Sequence, residues 1–388
     1  MSTTSSRVLV VSGSAGHGHT MAGKAVAAAL KERHPELGTA HVDCVALTSN
    51  LYKHVYRWGY VQLVDKHVHL WRQLYDSTNE RTSTIGHALT VLGGRRFIRF
   101  IKRKRPELVV CTHFLAPELL GRAIRKGKID TKMHVVITDH DTHRNWYYPE
   151  VDRYYVASEL VKARLNLTYG VDEDRIQVTG IPVRGAFQTE PDLGEVRVRY
   201  GLDPERPTVL FLSGGFHAGP MAQSILGLWR DRRDIQVIAV CGRNERLRRR
   251  ISRLPRPAGG VLLPLGFVSD VRDLMAVADV VVAKSGGMST SECMAAGRPM
   301  LISGSIPGQE ERNADAVLEA GAGFRALTPQ EIRYRTLLLL DDPDLRAGVA
   351  RRARLFGRAD AAADIADDVA GRLEVEEPVV GPIFHGAI

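Results

Sequence analysis

Short apolar runs recur along the chain, with helical stretches between them. The first series is RVLVVSG, HVDCVAL, ELVVCTHF, MHVVITD and RYYVAS. A second series follows, with TVLFLSGG, IQVIAVCG, VLLPLGFV, DVVVAKSGG and PMLISG. Near-continuous apolar runs that alternate with helices predict parallel strands buried on both faces. Two such series predict an α/β protein with two doubly wound parallel-sheet domains.

A polar segment rich in Gly and Pro separates the two series and predicts a linker at 185–207. We therefore place the first domain at 1–182, the second at 183–374 and a C-terminal tail at 375–388. Ligands of open parallel sheets bind beyond the carboxyl ends of the strands. We expect the active site in the cleft where the two domains face each other.

The composition is that of a globular protein, with 388 residues, 44% hydrophobic and 25% charged. No apolar run approaches the roughly 18–20 residues of a membrane span, and the start MSTTSSR lacks a signal-peptide core, so we expect a cytoplasmic protein. Four widely separated cysteines form no metal-binding spacing. We expect buried thiols at Cys44, Cys111, Cys241 and Cys293.

The net charge of +9 lies entirely in residues 1–180, which hold 26 basic and 17 acidic residues, whereas residues 181–388 hold 27 of each. Aromatic and basic residues alternate over 51–75, and RRFIRFIKRKR at 95–105 places seven cations around four apolar residues. Such stretches are typical of interfacial helices and predict contact with an anionic membrane surface. A core helix with a solvated face explains the same spacing. No motif for nucleic-acid binding is present.

The loop GSAGHGH follows the first predicted strand. Its glycines, Gly13, Gly16 and Gly18, have the order G-x-x-G-x-G, which is a weak version of a dinucleotide-binding turn, and Asp43 would be the ribose-binding acid of such a site. His17 and His19 fit a phosphate cradle poorly, because a phosphate needs bare backbone N–H groups. A histidine suits the deprotonation of a hydroxyl at neutral pH, with loop capping as the alternative role.

Several segments, including SGSAGHGHTMAGKAVAAAL, TDHDTHRNWYYPEVDRYYVASE, ADVVVAKSGGMSTSECMAAGRPMLI and PGQEERNADAVLEAGAGF, together carry a family resemblance. They resemble the monogalactosyldiacylglycerol synthase and diacylglycerol glucosyltransferase family, and more distantly the peptidoglycan N-acetylglucosaminyltransferase. The resemblance covers most of residues 7–325. It implies a GT-B fold and inverting transfer of a hexose from a UDP-sugar, with the acceptor on the N-terminal domain and the donor on the C-terminal domain.

On the acceptor side, the resemblance makes His19 the first candidate for the catalytic base and Asp139 the second. The other predicted acceptor-side residues are Ser14, His17, His143 and Trp146. Some members of the family have an acid at the position of Ser14, which leaves the identity of the base open.

On the donor side, Gly286 and Gly287 allow close approach of a ligand, and the helix that follows can bind a diphosphate at its N-terminus. Glu292 in that helix suits the two hydroxyls of a ribose, with a helix-dipole acid as the alternative. The remaining predicted donor-binding residues come from both the residue patterns and the resemblance: Arg184, Ser213, Gly214, Gly215, Phe267, Val268, Lys284, Ser285, Met288, Ser289, Gln309 and Glu310.

We expect no metal and no cofactor, because DHD at 139–141 lies in a segment that matches the family's acceptor side. A glycerolipid is the favoured acceptor, and a soluble natural product or sugar is the alternative. Two remote alternatives are a Rossmann oxidoreductase and a non-catalytic membrane-binding module.

Overall fold

The computed structural model describes residues 7–14, 17–49, 72–73, 77, 93–213 and 220–374. Their twelve strands form two six-stranded sheets, with the orders β2-β1-β3-β4-β5-β6 and β12-β11-β10-β7-β8-β9. Every strand pair in both sheets is parallel. The predicted pair of doubly wound parallel sheets is thereby confirmed.

The strands of the first sheet are β1 (Val8–Ser12), β2 (Ala40–Asp43), β3 (Leu108–Cys111), β4 (Lys132–Val136), β5 (Arg153–Val156) and β6 (Ile176–Val178). The described helices of this half are α1 (His17–Arg33), α2 (Arg95–Lys104), α3 (Leu115–Arg125) and α4 (Glu159–Tyr169). Single 3-10 turns lie at Pro35–Leu37, Arg144–Trp146, Glu173–Arg175 and Gly185–Gln188.

The strands of the second sheet are β7 (Thr208–Leu212), β8 (Gln236–Val240), β9 (Leu262–Leu265), β10 (Val280–Ala283), β11 (Met300–Ile302) and β12 (Gly323–Arg325). The helices around it are α5 (Leu193–Tyr200), α6 (Met221–Asp231), α7 (Glu245–Ser252), α8 (Val271–Ala276), α9 (Gly287–Ala295), α10 (Gln309–Glu319), α11 (Pro329–Asp341) and α12 (Pro343–Phe356). A final helix, α13 (Ala361–Glu374), ends the described chain.

The strands are apolar on both faces because helices cover both sides of each sheet. All four residues of β3 are completely buried, and so are the three residues of β5 that follow Arg153. The strand order reverses between β1 and β3 in the first sheet and between β7 and β10 in the second. Connections leave in opposite directions at such a switch point, which opens a crevice at the carboxyl ends of the two strands. Both predicted glycine turns lie at these two crevices.

Helix α13 returns to the first half of the molecule. Ile365, Val369 and Leu373 are buried in the same cluster as Val26 and Leu30 of α1. An ion pair between Arg153 and Asp368, at 3.1 Å, joins the helix to strand β5. The last described helix is thus anchored on the first half, which holds the two halves together.

All ten predicted strands are present, but β6 and β12 were not predicted. Each has three residues, IQV and GFR, that include a polar residue or glycine and so form no continuous apolar run. The predicted domain and linker boundaries stay predictions. The tail at 375–388 and most of the aromatic segment at 51–75 lie outside the described residues. The four cysteines are buried free thiols, as expected.

Candidate active site

The ring of His113, which follows β3, lies against the glycine loop at the first crevice. A Cβ added to Gly13 would lie 2.6 Å from the ring of His113, so only glycine allows the loop after β1 to cross this ring. Ser14 donates its N–H to Asp43 at 3.1 Å, and Val45 donates to the same oxygen at 2.9 Å. Asp43 therefore fixes the shape of the glycine loop, a role different from that of the ribose-binding acid in the oxidoreductase alternative.

His19 lies in the first turn of α1 and points at the end of β3. Its Nδ1 is 3.1 Å from the carbonyl oxygen of Thr112 and 2.7 Å from Oγ1 of Thr138. A carbonyl can only accept, so Nδ1 carries the proton and Nε2 keeps its lone pair. Burial lowers the pKa of His19 to about 4, because the charged imidazolium is poorly solvated there. The ring is therefore neutral at pH 7 and has one nitrogen ready to accept a proton.

Asp139, the second candidate base, lies on the loop after β4. Its Oδ1 accepts a hydrogen bond at 3.0 Å from Nδ2 of Asn313, which belongs to the second half of the molecule. Burial raises the pKa of Asp139 to about 7, and the nearby carboxylates of Glu310 and Asp141 act in the same direction. The hydrogen bond from Asn313 opposes this rise. Asp139 follows Thr138 directly, so both candidate bases belong to one constellation.

The other predicted acceptor-side residues differ in their settings. Trp146 is buried, with its ring centroid 6.0 Å from that of His19. His143 caps the 3-10 turn at Arg144–Trp146 by accepting the N–H of Asn145 at 3.1 Å. His17 is exposed at the start of α1. Trp146 thus lies beside the candidate base, whereas the ring of His143 is used in part to shape the loop.

The donor-side glycine turn connects β10 to α9 and lies against the first half of the molecule. A Cβ added to Gly287 would lie 2.2 Å from the carbonyl oxygen of Thr138 and 3.2 Å from Oδ1 of Asp139. A Cβ on Gly18 would lie 3.7 Å from the Cβ of Met288. The N-terminus of α9 therefore faces the loop that carries Asp139, and the first N–H groups of a helix have no partner within the helix.

Glu292 lies one turn into α9 and is only 8% exposed. Burial raises its pKa to about 7, although Arg184 opposes the shift. Nη2 of Arg184 is 3.8 Å from the carboxylate of Glu292 and 3.6 Å from Asp270. The predicted pair of donor-binding residues, one from each side of the linker, is therefore in contact.

Gln309 and Glu310 open helix α10 next to the glycine turn. Nζ of Lys284 is 3.8 Å from the Glu310 carboxylate, and Oγ of Ser285 donates to the Glu310 carbonyl at 2.7 Å. Oε1 of Gln309 is buried and accepts no hydrogen bond within the described residues. A buried acceptor of this kind needs a donor, such as a ligand hydroxyl or water.

The remaining predicted donor residues are more dispersed. Ser213 directly follows β7 and donates its N–H to the carbonyl of Val240 at 2.9 Å, and Ser289 is partly buried in the first turn of α9. Phe267 is 61% exposed with Arg243 over its ring, and Val268 is partly buried beside it. Gly214 and Gly215 lie outside the described residues.

A cavity of about 770 Å³ opens beside α10, within the size range of small-molecule sites. Its lining is polar and comes from both halves of the molecule, with Asp141, Ser305, Glu311, Arg312 and Arg325 among its residues. Asp141 is held by Arg164 and lies 3.6 Å from Arg312. Within the described ranges, no group of three or more His, Cys, Asp or Glu side chains is arranged to hold a metal ion.

Sequence reasoning missed Asn313 and Thr138, which join the two candidate bases to the rest of the site. Asn313 follows Gln309 by four residues, which places both on one face of a helix. That spacing was visible in PGQEERNA and was the available signal. Thr138 gave none, because a threonine at the end of a strand is common.

Two family models match the chain. Residues 19–183 match monogalactosyldiacylglycerol (MGDG) synthase, and residues 209–332 match the glycosyltransferase family 28 C-terminal domain. The processive diacylglycerol beta-glucosyltransferase of Bacillus subtilis (strain 168) is 27% identical over 379 residues, 94% of this chain and 95% of that protein. The chloroplastic monogalactosyldiacylglycerol synthase of Spinacia oleracea is 28% identical over 348 residues, 84% of this chain and 64% of that protein.

Solved structures show the same fold at low sequence identity. The S. aureus MnaA-UDP co-structure superposes with a TM-score of 0.64 at 15% identity, covering 96% of this chain and 98% of that one. MurG of Acinetobacter baumannii gives a TM-score of 0.60 at 13% identity, covering 94% and 99%. The arrangement of two parallel sheets across a cleft is therefore shared with these proteins.

Proposed function

We propose, from the premise that this chain belongs to the family of monogalactosyldiacylglycerol synthases and diacylglycerol glucosyltransferases, that it moves a hexose from a UDP-sugar to a glycerolipid hydroxyl and gives a β-glycoside. Membership of this family makes the chain a glycosyltransferase that uses a UDP-sugar. The carrying observation is the contact between the N-terminus of α9 and the loop that bears Thr138 and Asp139. It brings a diphosphate-binding element against the residues that can deprotonate an acceptor.

The proposed reaction is a single displacement at the anomeric carbon. The acceptor hydroxyl loses its proton to Nε2 of His19, with Asp139 as the alternative base, while its oxygen forms the new bond to the sugar. The bond from the sugar to the diphosphate breaks on the opposite face, so an α-linked donor gives a β-linked product. The leaving UDP gains negative charge, which the N-terminus of α9 and the cations Arg184 and Lys284 stabilise.

The donor contacts follow from the same geometry. The carboxylate of Glu292 suits the ribose diol, and the unpartnered Oε1 of Gln309 suits a sugar hydroxyl. The acceptor is proposed from the named relatives, which act on diacylglycerol. A soluble natural-product or sugar acceptor remains the second candidate, because the polar cavity beside α10 would admit one.

Transfer is tested by incubating the protein with UDP-glucose or UDP-galactose and diacylglycerol in mixed vesicles. A β-linked glycolipid, identified by the coupling constant of its anomeric proton, is the expected product. Transfer to a soluble sugar or natural product with none to diacylglycerol would favour the second candidate. Absence of transfer together with absence of UDP binding would overturn the proposal.

UDP is expected to bind equally well in EDTA and in magnesium, since we propose that no metal takes part. Positive charge for the diphosphate comes from the N-terminus of α9, Arg184 and Lys284. Calorimetry in the two buffers measures this directly. Loss of binding in EDTA, restored by magnesium, would show that a metal is required.

Glu292→Ala is expected to weaken UDP binding by roughly 1.5–3 kcal/mol, the range for losing a charged hydrogen-bond partner. Glu319→Ala serves as the control, since Glu319 is an exposed acid at the far end of α10. Calorimetric titration with UDP compares the two variants. Equal UDP affinity of the two variants would indicate that Glu292 interacts only with the helix dipole.

We also propose that the protein works at the cytoplasmic face of a membrane through its basic first half. Helix α2 buries Phe97 and Ile101 in the first core, and its cations Arg95, Arg96, Arg99, Lys102, Arg103 and Lys104 are exposed. Ile98 and Phe100 are partly buried against the same core, so the core-helix interpretation holds for all four apolar residues, and a charged outer face is left for anionic lipid. No helix among the described residues is long and apolar enough to cross a bilayer.

Binding to anionic vesicles is expected to fall at least about tenfold when Arg95, Arg96, Arg99 and Lys102 become Gln, because each cation contributes about 1 kcal/mol near such a surface. The matched control replaces four exposed arginines of α7 and its C-terminal end, Arg246, Arg249, Arg250 and Arg253. Sedimentation with phosphatidylglycerol vesicles at low salt measures both. Failure of the wild-type protein to bind these vesicles would contradict the membrane proposal and favour a soluble acceptor.

A further inference from the structure

A buried amide joins the two halves of the molecule at the candidate active site. Asn313 on α10 is 0% exposed. Its Oδ1 accepts the backbone N–H of His140 at 2.7 Å, and its Nδ2 donates to Oδ1 of Asp139 at 3.0 Å. A backbone N–H can only donate and a carboxylate can only accept, so the two bonds fix the orientation of the amide. Both partners lie on the loop after β4 in the first half.

Two other contacts hold the same loop against the second half. The backbone at Gly287 packs on the carbonyl of Thr138, and the ring of His140 stacks on Phe356 with centroids 5.1 Å apart. Neither of these two contacts involves a charged group. Asn313 alone among these residues touches the Asp139 carboxylate through a hydrogen bond, and it does so from the helix that presents Gln309 and Glu310.

We propose that Asn313 is a positioning residue that locks the donor helix α10 to the acceptor loop 138–140 and holds the Asp139 carboxylate oriented for sugar transfer. The proposal rests on the proposed function. Because Gln309 and Asn313 share one face of α10, a sugar held by the first turn of this helix has a fixed relation to Asp139. Thr138, the preceding residue, contacts His19 at 2.7 Å, so the same bond also sets the position of the candidate base.

The charges around Asp139 explain why a donor is needed there. Glu310 on α10 and Asp141 on its own loop both disfavour its ionisation, as does burial. Lys284 balances Glu310, while Arg164 and Arg312 balance Asp141. The amide of Asn313 is the hydrogen-bond donor that acts on Asp139 itself. An ionised Asp139 can take the acceptor proton or stabilise the positive charge that His19 gains as base.

The test compares Asn313→Ala with wild type in UDP-sugar transfer over pH 5–10. We expect kcat to fall on the order of 10- to 100-fold at pH 7, as for a misplaced reactive group, with UDP affinity unchanged. Removal of the donor disfavours the carboxylate, so the acid limb of the kcat profile should move to higher pH and part of the loss should be recovered there. An unshifted pH profile would overturn the proposal in favour of a purely structural role. A loss of affinity for the UDP-sugar, relative to wild type, that UDP does not show would overturn it in favour of a direct sugar contact.

Glu319→Gln is the control on the same helix. Glu319 ends α10 and is exposed, far from Asp139 and from the cavity. We expect an unchanged kcat and pH profile for this variant. An equal loss in both variants would mean that the effect is not specific to the bond between Asn313 and Asp139, which contradicts the proposed role of Asn313.

A charge-exchange pair keeps the test valid if Asn313→Ala fails to fold. Asn313→Asp retains the shape and the bond to His140 but sets a carboxylate against Asp139, so Tm and kcat should both fall. Adding Asp139→Asn restores a donor–acceptor pair across the interface, so Tm should recover while kcat should not. Failure of Tm to recover, or recovery of both, would overturn the proposal. Absence of UDP binding in wild type would instead mark failure of the proposed function.

Discussion

His19→Ala is expected to lower the rate of sugar transfer by at least about 100-fold, within the range for loss of a general base. UDP affinity should stay near wild type, because a base acts only when the acceptor loses its proton. The hydrogen bond to the carbonyl of Thr112 leaves Nε2 unprotonated, and the pKa of about 4 keeps the ring neutral at every pH of ordinary assays. A single-turnover assay beside a calorimetric titration with UDP separates the two quantities.

Two variants decide how the result is interpreted. His17→Ala should lose less activity, because His17 is exposed at the start of α1. Asp139→Asn removes the other candidate base without changing the shape of the loop. If His19→Ala transfers sugar at nearly the wild-type rate while Asp139→Asn does not, the proton goes to the carboxylate, and the two histidines only shape the glycine loop.

Gly287→Ala is expected to reduce kcat/KM by about 100-fold or more, the scale of effect for a displacement of about 1 Å at reacting groups. The new Cβ would lie 2.2 Å from the backbone oxygen of Thr138, and a backbone clash is not relieved by a rotamer change. The two halves would have to separate at this point, which moves α9 away from Asp139. The sheets have separate cores, so Tm should change little.

Gly18→Ala is the control for the Gly287 variant. Its Cβ would lie 3.7 Å from that of Met288 across the same cleft, which is an ordinary contact, and alanine favours a helix. Transfer assays and small-angle scattering should show a much smaller loss and no opening for this variant. Wild-type activity in Gly287→Ala would mean that close contact between the two halves at Gly287 is not needed for transfer.

The strands were predictable because a parallel strand in a two-faced sheet must be apolar at every position. DVVVAKSGG and ELVVCTHF satisfy this requirement and become β10 and β3. IQV and GFR form strands because partner strands lie beside them, at β5 and β11. A three-residue segment interrupted by a polar residue or glycine carries too little pattern of its own, and tertiary pairing decides its state.

The candidate site likewise has residues that local patterns indicate and contacts that only the tertiary structure creates. His19, Glu292 and the turn at Gly286 and Gly287 could be proposed from the sequence because histidines in a glycine loop and glycines before a helix are local features. The sequence also placed Arg184 near the diphosphate by resemblance, and the structure places it against Glu292. It did not show that Asp43 holds the glycine loop or that Asn313 reaches Asp139, because these partners are 29 and 174 residues apart.

The sequence by itself determined two parallel sheets and two glycine turns at strand ends, because periodicity and turn chemistry act within a few residues, and it resembles a family of sugar transferases. Tertiary structure alone decided which groups carry charge and what they face. Burial sets the pKa of His19 to about 4 and that of Asp139 to about 7, and both values depend on side chains brought together from separate parts of the chain. Solvation and hydrogen bonding across the cleft are properties of the assembled molecule, so a sequence pattern identifies candidate bases but not their protonation states.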